Sequence, residues 1–159
     1  MATPSPNSPS DVLLLDTNVL VIYARAGEPY RRLEAQLGLR TKAVQGLISI
    51  ITVGEVMAFA RKRNWGQSRR TELDELLQTL VAIDVNTPEI VEAYAEIDHY
   101  SEKVVKPAHP MGQNDMWIAA TAHVLDCELV TTDKDFDHLH GIKLRRRWID
   151  QSSLIADNT

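Results

Sequence analysis

The chain is built from apolar runs too short for helices, each followed by a stretch in which apolar residues recur at helical spacing. VLLL, at 12–15, is an unbroken apolar run of the kind expected for a strand buried on both faces, and TNVLVIYARA after it suits a short helix. PYRRLEAQLGLR places Pro29 at a first helical position and Leu33 and Leu37 on one stripe, ending near Gly38. GLISII reads as a second strand running into the helix TVGEVMAFARKRN, whose basic last turn suits its dipole. Residues 68–80 carry Leu73, Leu76, Leu77 and Leu80 at helical spacing, LVAIDV comes next as a strand, and Thr87 with Pro88 opens a further helix as cap and first-turn proline. VVKPAHPMGQ reads as a loop, NDMWIAATAHVLD as a helix, ELVTTD as a strand and IKLRR as a last short strand. Strands alternating with helices predict an α/β fold with a mostly parallel sheet covered on both faces.

Polar residues interrupt this pattern at telling places. In open parallel sheets a ligand site lies outside the carboxyl ends of the strands. Asp16 ends the first strand, Glu55 lies early in the helix after the second, Asp115 opens the helix after the proline loop, and Asp133 ends ELVTT, so all four acids can meet on one sheet edge. Each has a structural alternative. Thr52 and Glu55 have the spacing of a capping box, Asp115 suits a helix first turn, and Asp16 and Asp133 can each cap a short helix on their C-terminal side. Caps need not be acidic, however, and four clustered negative charges are destabilising without a counter-ion, so a cation is the simplest completion.

Composition narrows the classes. The chain has 159 residues, 44% of them hydrophobic, which suits one domain with a sizeable core. The domain is expected over 11–150, with a disordered tail at 1–10 and a C-terminal tail at 151–159. MATPSPNSPS lacks the features of a signal peptide, no apolar run approaches a membrane span, and the single cysteine, Cys127, excludes an internal disulfide framework. A cytoplasmic protein is expected. There is no Walker loop, no G-x-S-x-G elbow and no dinucleotide glycine fingerprint, and Cys127 sits in apolar surroundings that disfavour a thiolate. The formal net charge of −5 argues against nucleic-acid binding by bulk positive field and leaves it to local clusters, among them Arg61 to Arg63, Arg69 with Arg70, and Arg145 to Arg147 beside Trp148. His138 and His140 lack a third His or Cys nearby and read as structural or surface residues. Trp65, Trp117 and Trp148 offer stacking surfaces for bases, Trp117 reading mainly as core.

The motifs LLLDTNVL, TVGEV, GQNDMWIAATA and LVTTDKDF together resemble the PIN-domain ribonucleases, in particular the single-domain VapC-type toxins of bacterial toxin-antitoxin pairs, over nearly the whole chain. The resemblance implies a PIN-like three-layer α/β/α sandwich, with Asp16, Glu55, Asp115 and Asp133 as catalytic and metal-binding acids and Thr17, Asn18 and Thr132 as supporting neighbours. Asp135 is an ambiguous neighbour of Asp133, which lies nearer the strand end. The same resemblance implies a growth-inhibiting endoribonuclease neutralised by a small VapB-like antitoxin, acting on tRNA, rRNA or mRNA, and a homodimer; the leucine-rich helix at 68–80 is a candidate surface for self-association or the antitoxin. Hard oxygen ligands suit Mg2+ or Mn2+. The alternatives are an aspartyl phosphatase, which Asn18 disfavours where a second aspartate is usual, and a noncatalytic Mg2+-dependent receiver or RNA-binding module with the same sheet-edge acids.

Overall fold

The computed structural model describes residues 12–155, so the expected tail at 1–10 and the last residues from 156 lie outside the described residues. Five strands form one all-parallel sheet in the order β3-β2-β1-β4-β5. They are β1 (Val12–Leu15), β2 (Gln45–Ser49), β3 (Val81–Ile83), β4 (Glu128–Thr131) and β5 (Arg145–Trp148). The helices are α1 (Thr17–Arg25), α2 (Glu28–Leu37), α3 (Ile50–Lys62), α4 (Gln67–Gln78), α5 (Pro88–His99) and α6 (Gln113–Leu125). Among the described residues no helix is long and apolar enough to cross a membrane.

Two cores explain the unbroken apolar strands. Leu13 and Leu15 point into a cluster with α1, α2, α3 and α4, while Leu14 points the other way into a cluster with α5 and α6. Val130 and Leu129 of β4 divide in the same manner. A strand between two helical layers has no solvent face and therefore no polar alternation. Each buried leucine contributes on the order of 2 kcal/mol, so β1 and β4 are the best-anchored strands of the three-layer sandwich.

Several boundaries differ from the sequence expectation, each for a local reason. Ile50 and Ile51 belong to α3 and not to a strand; Ser49 caps that helix by accepting from the Ile51 N–H at 3.2 Å. A continuous run of aliphatic residues gives no period by which to place that boundary. The last strand begins at Arg145, whereas Ile142 is exposed in the preceding turn. Its arginines are accommodated at the sheet edge by acids: Arg145 lies 3.6 Å from Asp126, Arg146 2.8 Å from Asp137, and Arg147 2.5 Å from Glu128 of the neighbouring β4. The expected C-terminal tail begins instead with a short 3-10 turn, Gln151–Leu154, which inserts Leu154 into the first core. Arg32 of α2 secures it by donating to the carbonyls of Ser153 and Ile155 at 3.2 and 3.0 Å. The folded unit thus extends past the expected limit at 150.

The leucine-rich stretch is α4, and Leu73 and Leu76 are buried in the first core with Leu77 and Leu80 packed against it. That apolar stripe is consumed within the domain and is not a free partner surface. Trp65 is also core, edge-on to Phe59 with ring centroids 5.7 Å apart. Trp117 is partly buried against Tyr94, and Cys127 is buried, which pushes its thiol pKa up and keeps it protonated.

One buried carboxylate holds the turn between α2 and β2. Glu34 accepts from the Tyr23 hydroxyl at 2.5 Å through one oxygen, and from the backbone N–H groups of Arg40 and Thr41 at 2.7 and 3.1 Å through the other. Gly38 makes the turn possible by ending α2 in the left-handed region at φ 69°. Burial, followed by the Glu34 carboxylate, raises the Tyr23 pKa well above its ordinary value, so the phenol stays a donor. Replacing Glu34 by Ala strands a buried phenol and frees the turn, and is expected to cost about 2 kcal/mol in urea unfolding. An unchanged midpoint would show that the turn holds without it.

Candidate active site

β1 and β4 lie side by side at the centre of the sheet, and the chain leaves them in opposite directions across it. This is the topological switch point, where the connections diverge and leave a crevice at the strand ends. Asp16 comes directly after β1, and Asp133 stands two residues beyond β4. α6 begins at Gln113 after the proline loop and presents Asp115 in its first turn. Glu55 sits in the second turn of α3.

Two threonines connect three of these acids. Thr17 donates from its backbone N–H to Asp16 Oδ1 at 2.7 Å and from its hydroxyl to Glu55 Oε1 at 2.8 Å. Thr131 donates its hydroxyl to Asp16 Oδ2 at 2.7 Å and accepts from the Asp133 backbone N–H at 3.0 Å. Side-chain oxygens of Asp115, Asp133 and Asp135 lie within 4.8 Å of one another. Asp115 feels the field of the other four acids, Asp16 most strongly.

The alternatives raised by the sequence resolve individually. Asp16 and Asp133 do act as caps, Asp16 on α1 and Asp133 by accepting from the Asp135 N–H at 2.9 Å. Glu55 does not form a capping box with Thr52: the cap is Ser49, Thr52 is buried inside the helix, and Glu55 reaches across to Thr17. Thr17 is in the site as expected, but Asn18 is exposed and makes no hydrogen bond to the acids among the described residues. Thr131 occupies the place expected for Thr132, whose carbonyl instead accepts from the Trp148 indole at 3.1 Å. Asp135, ambiguous in sequence, joins Asp115 and Asp133. Strand alternation could have favoured Thr131, since it shares parity with inward-facing Leu129, but a strand buried on both faces hides that parity.

The histidines support the periphery. His138 Nε2 lies 2.8 Å from the Ser101 hydroxyl, with the His109 ring 4.4 Å away, and its pKa is lowered by burial and by His109. His140 Nδ1 accepts from the Arg146 N–H at 3.0 Å. Both act as structural groups on or beside the 3-10 turn Lys134–Leu139 rather than on a strand.

Electrostatically the site is a concentration of negative charge. Burial raises the Asp16 pKa, the hydrogen bonds from Thr131 and Thr17 oppose the rise, and Asp133 and Glu55 add to it. Asp115 is pushed from 3.8 up to about 7, first by burial and then by the surrounding carboxylates. Among the described residues no lysine or arginine pairs with any of these acids; the one basic neighbour is His109, 3.9 Å from Asp135. Clustered carboxylate oxygens without a lysine or arginine partner are the donor set that suits a hard divalent cation.

The raised Asp115 pKa fixes the sign of a pH effect. Between about 4 and 7 the folded protein keeps a proton that the unfolded chain releases, so this group makes the metal-free protein less stable as pH rises. Asp115→Asn removes that dependence. In EDTA, its urea midpoint at pH 8 is expected to exceed the parent's, by on the order of 1 kcal/mol after screening at a half-exposed site, and the gain should shrink toward pH 4. Equal stability at pH 8 would mean the carboxylates do not repel as the geometry requires.

Known proteins share this arrangement of chain. The PIN domain family model matches residues 13–142. Among solved structures, the chain is similar to a toxin-antitoxin complex from Klebsiella pneumoniae, with 27% identity and a TM-score of 0.59 over 81% of this chain and 93% of that one. DNA-bound VapBC from Salmonella typhimurium shares 20% identity, with a TM-score of 0.66 over 85% and 96% of the two chains. VapBC2 from Rickettsia felis, bound to a promoter DNA fragment, shares 22% identity, with a TM-score of 0.64 over 85% and 98%. No curated protein sequence matches the chain. A match that begins within β1 and runs past β4 takes in all five acids of the crevice and the strands that carry them, and the chain belongs to the PIN-domain family.

Proposed function

We propose that this protein is a metal-dependent endoribonuclease and acts as the toxin of a VapC-type toxin-antitoxin pair. The observation that carries the reading is the convergence of Asp16, Glu55, Asp115, Asp133 and Asp135 at the switch point without a lysine or arginine to neutralise them. On this reading Asp16, Glu55, Asp115 and Asp133 hold Mg2+ or Mn2+, joined by Asp135. A bound divalent cation supplies positive charge for the scissile phosphate and makes water a competent nucleophile near neutral pH. The Thr17 N–H and the Thr131 hydroxyl fix the orientation of Asp16, while the Thr17 hydroxyl holds Glu55 and Thr131 accepts from the Asp133 N–H. Burial and the neighbouring carboxylates hold a proton on Asp115 up to about neutral pH, and a divalent cation, by offsetting that repulsion, would favour its ionised form.

A phospho-receiver reading is disfavoured because such a site needs a lysine across the pocket, and none pairs with these acids among the described residues. The toxin assignment draws support from family membership and from the toxin-antitoxin complex from Klebsiella pneumoniae. It carries with it a small VapB-like antitoxin, a homodimeric toxin and a cytoplasmic site of action, with growth inhibition as the outcome when the antitoxin is lost.

Cleavage is expected to require Mg2+ or Mn2+, to stop in EDTA, and to leave a 5′-phosphate and a 3′-hydroxyl, because water and not the RNA 2′-hydroxyl attacks phosphorus. Acid-base catalysis by histidines would leave a 2′,3′-cyclic phosphate and a 5′-hydroxyl without metal. Sequencing RNA 5′ ends after brief induction, with the end chemistry determined on purified protein, distinguishes the two; cyclic ends formed in excess EDTA would overturn the metal-binding role of the acids.

A further inference from the structure

The fold treats its two dense basic clusters differently. Arg145, Arg146 and Arg147 on β5 are each matched by an acid. Where α3 ends and α4 begins, Arg61, Lys62, Arg63, Arg69 and Arg70 are all exposed, and none makes an ion pair among the described residues. The dipole of α3 favours the cations in its last turn. It offers nothing to Arg69 and Arg70, which occupy the first turn of α4, where cations are disfavoured and no acid offsets them. Two of these side chains are held in place by aromatic rings: the Arg63 guanidinium lies 5.3 Å from the centroid of Phe59 and that of Arg69 5.1 Å from Trp65. Five unpaired cations held together repel one another, a cost that an anionic ligand removes.

The corner and the crevice share helix α3, which carries Glu55 in its second turn and Arg61 and Lys62 in its last. An open depression of about 530 Å³ lies along α3, with apolar Ile50 and Ile51 at its start, Gly54, Glu55 and Ala58 in the middle and Lys62 at its end, and with Asn114 of α6 beside it. Small residues at 54 and 58 leave the floor low. Lys62 lies two helical turns beyond Glu55, about 10 Å along the axis. Arg61 and Arg70 line a separate cavity between α3 and α4, with Asp74 the acid on its wall. A chain bearing −5 overall repels RNA unless positive charge is concentrated where the strand must lie.

We propose that the α3–α4 corner is the anchor for the RNA phosphate backbone flanking the cut, with Lys62 nearest the acids and Arg61 and Arg70 beyond it. This rests on the ribonuclease reading, and the two can fail separately. The probe is a fluorescent single-stranded RNA of mixed sequence, bound by the full chain carrying Asp115→Asn in Mg2+ over a range of KCl concentrations, while the protein with Asp115 intact is assayed for cutting the same RNA. Adding Lys62→Gln, Arg61→Gln and Arg70→Gln together is expected to lower the slope of log affinity against log salt by about 2, at roughly 0.7 per lost phosphate contact. Arg145→Gln with Arg147→Gln, which removes paired cations, should leave the slope unchanged. All five positions are surface-facing and at least partly exposed, and thermal unfolding confirms that each variant is folded. An unchanged slope in the triple variant overturns the proposal, and cutting by the protein with Asp115 intact then leaves the ribonuclease reading standing. A lowered slope without any cutting supports the anchor and overturns the ribonuclease. Neither binding nor cutting overturns both, and altered sedimentation with an unchanged slope assigns the corner to protein contact and overturns the proposal.

Discussion

Everything in this molecule is arranged around the difficulty of keeping several carboxylates close together at the end of buried strands. Asp16 is nearly inaccessible to water and stands among acids, which is among the least favourable positions for an ionised group. What makes it tolerable is the Thr131 hydroxyl on one oxygen and the Thr17 backbone N–H on the other. Thr131 satisfies one oxygen of Asp16 and positions the backbone that carries Asp133; Thr17 satisfies the other and reaches Glu55. Hydrogen bonding to the charged form opposes the desolvation, while repulsion between the acids remains unspent until a cation arrives. The stability given up at this edge is recovered in the two cores on either side of β1 and β4.

The topology makes that concentration of charge possible. Helices cover both faces of the sheet, leaving the carboxyl edge as the place where backbone and side-chain polar groups can collect. Since β1 and β4 are neighbours but their connections run to opposite sides, no loop crosses the crevice between Asp16 and Asp133. α6 then closes one flank with Asp115, and α3 closes another with Glu55. The acids come from four different elements, each fixed by packing, so the geometry of the site does not depend on a flexible loop.

Much of this was legible in the chain. VLLL and ELVT are short apolar runs that end in acids, and a charge that interrupts a buried strand signals its end and a reason for it. The same logic exposed Asp115, placed just after a proline-rich loop at the start of an apolar helix. What stayed hidden were details that depend on contacts between distant residues. The β2–α3 boundary lies within LISII, where every residue but Ser49 is apolar. Thr131 and Thr132 are indistinguishable until pairing sets which faces inward. β5 is a strand of three arginines, intelligible only with Asp126, Asp137 and Glu128 beside it. Leu154 and Ile155 stand side by side in a polar stretch, and nothing in the chain says that Leu154 is buried while Ile155 is exposed.

The separation of the two central strands along the chain has a consequence for biosynthesis. β1 is made more than a hundred residues before β4, its neighbour in the sheet. Until then Asp16 lacks the Thr131 hydroxyl, Asp133 and Asp135 do not exist, and one side of β1 is an open edge. A ribosome-bound fragment therefore contains no assembled crevice, however much of the first core it has formed. The crevice comes into being late in synthesis, only once the fourth strand has been made and has docked beside the first.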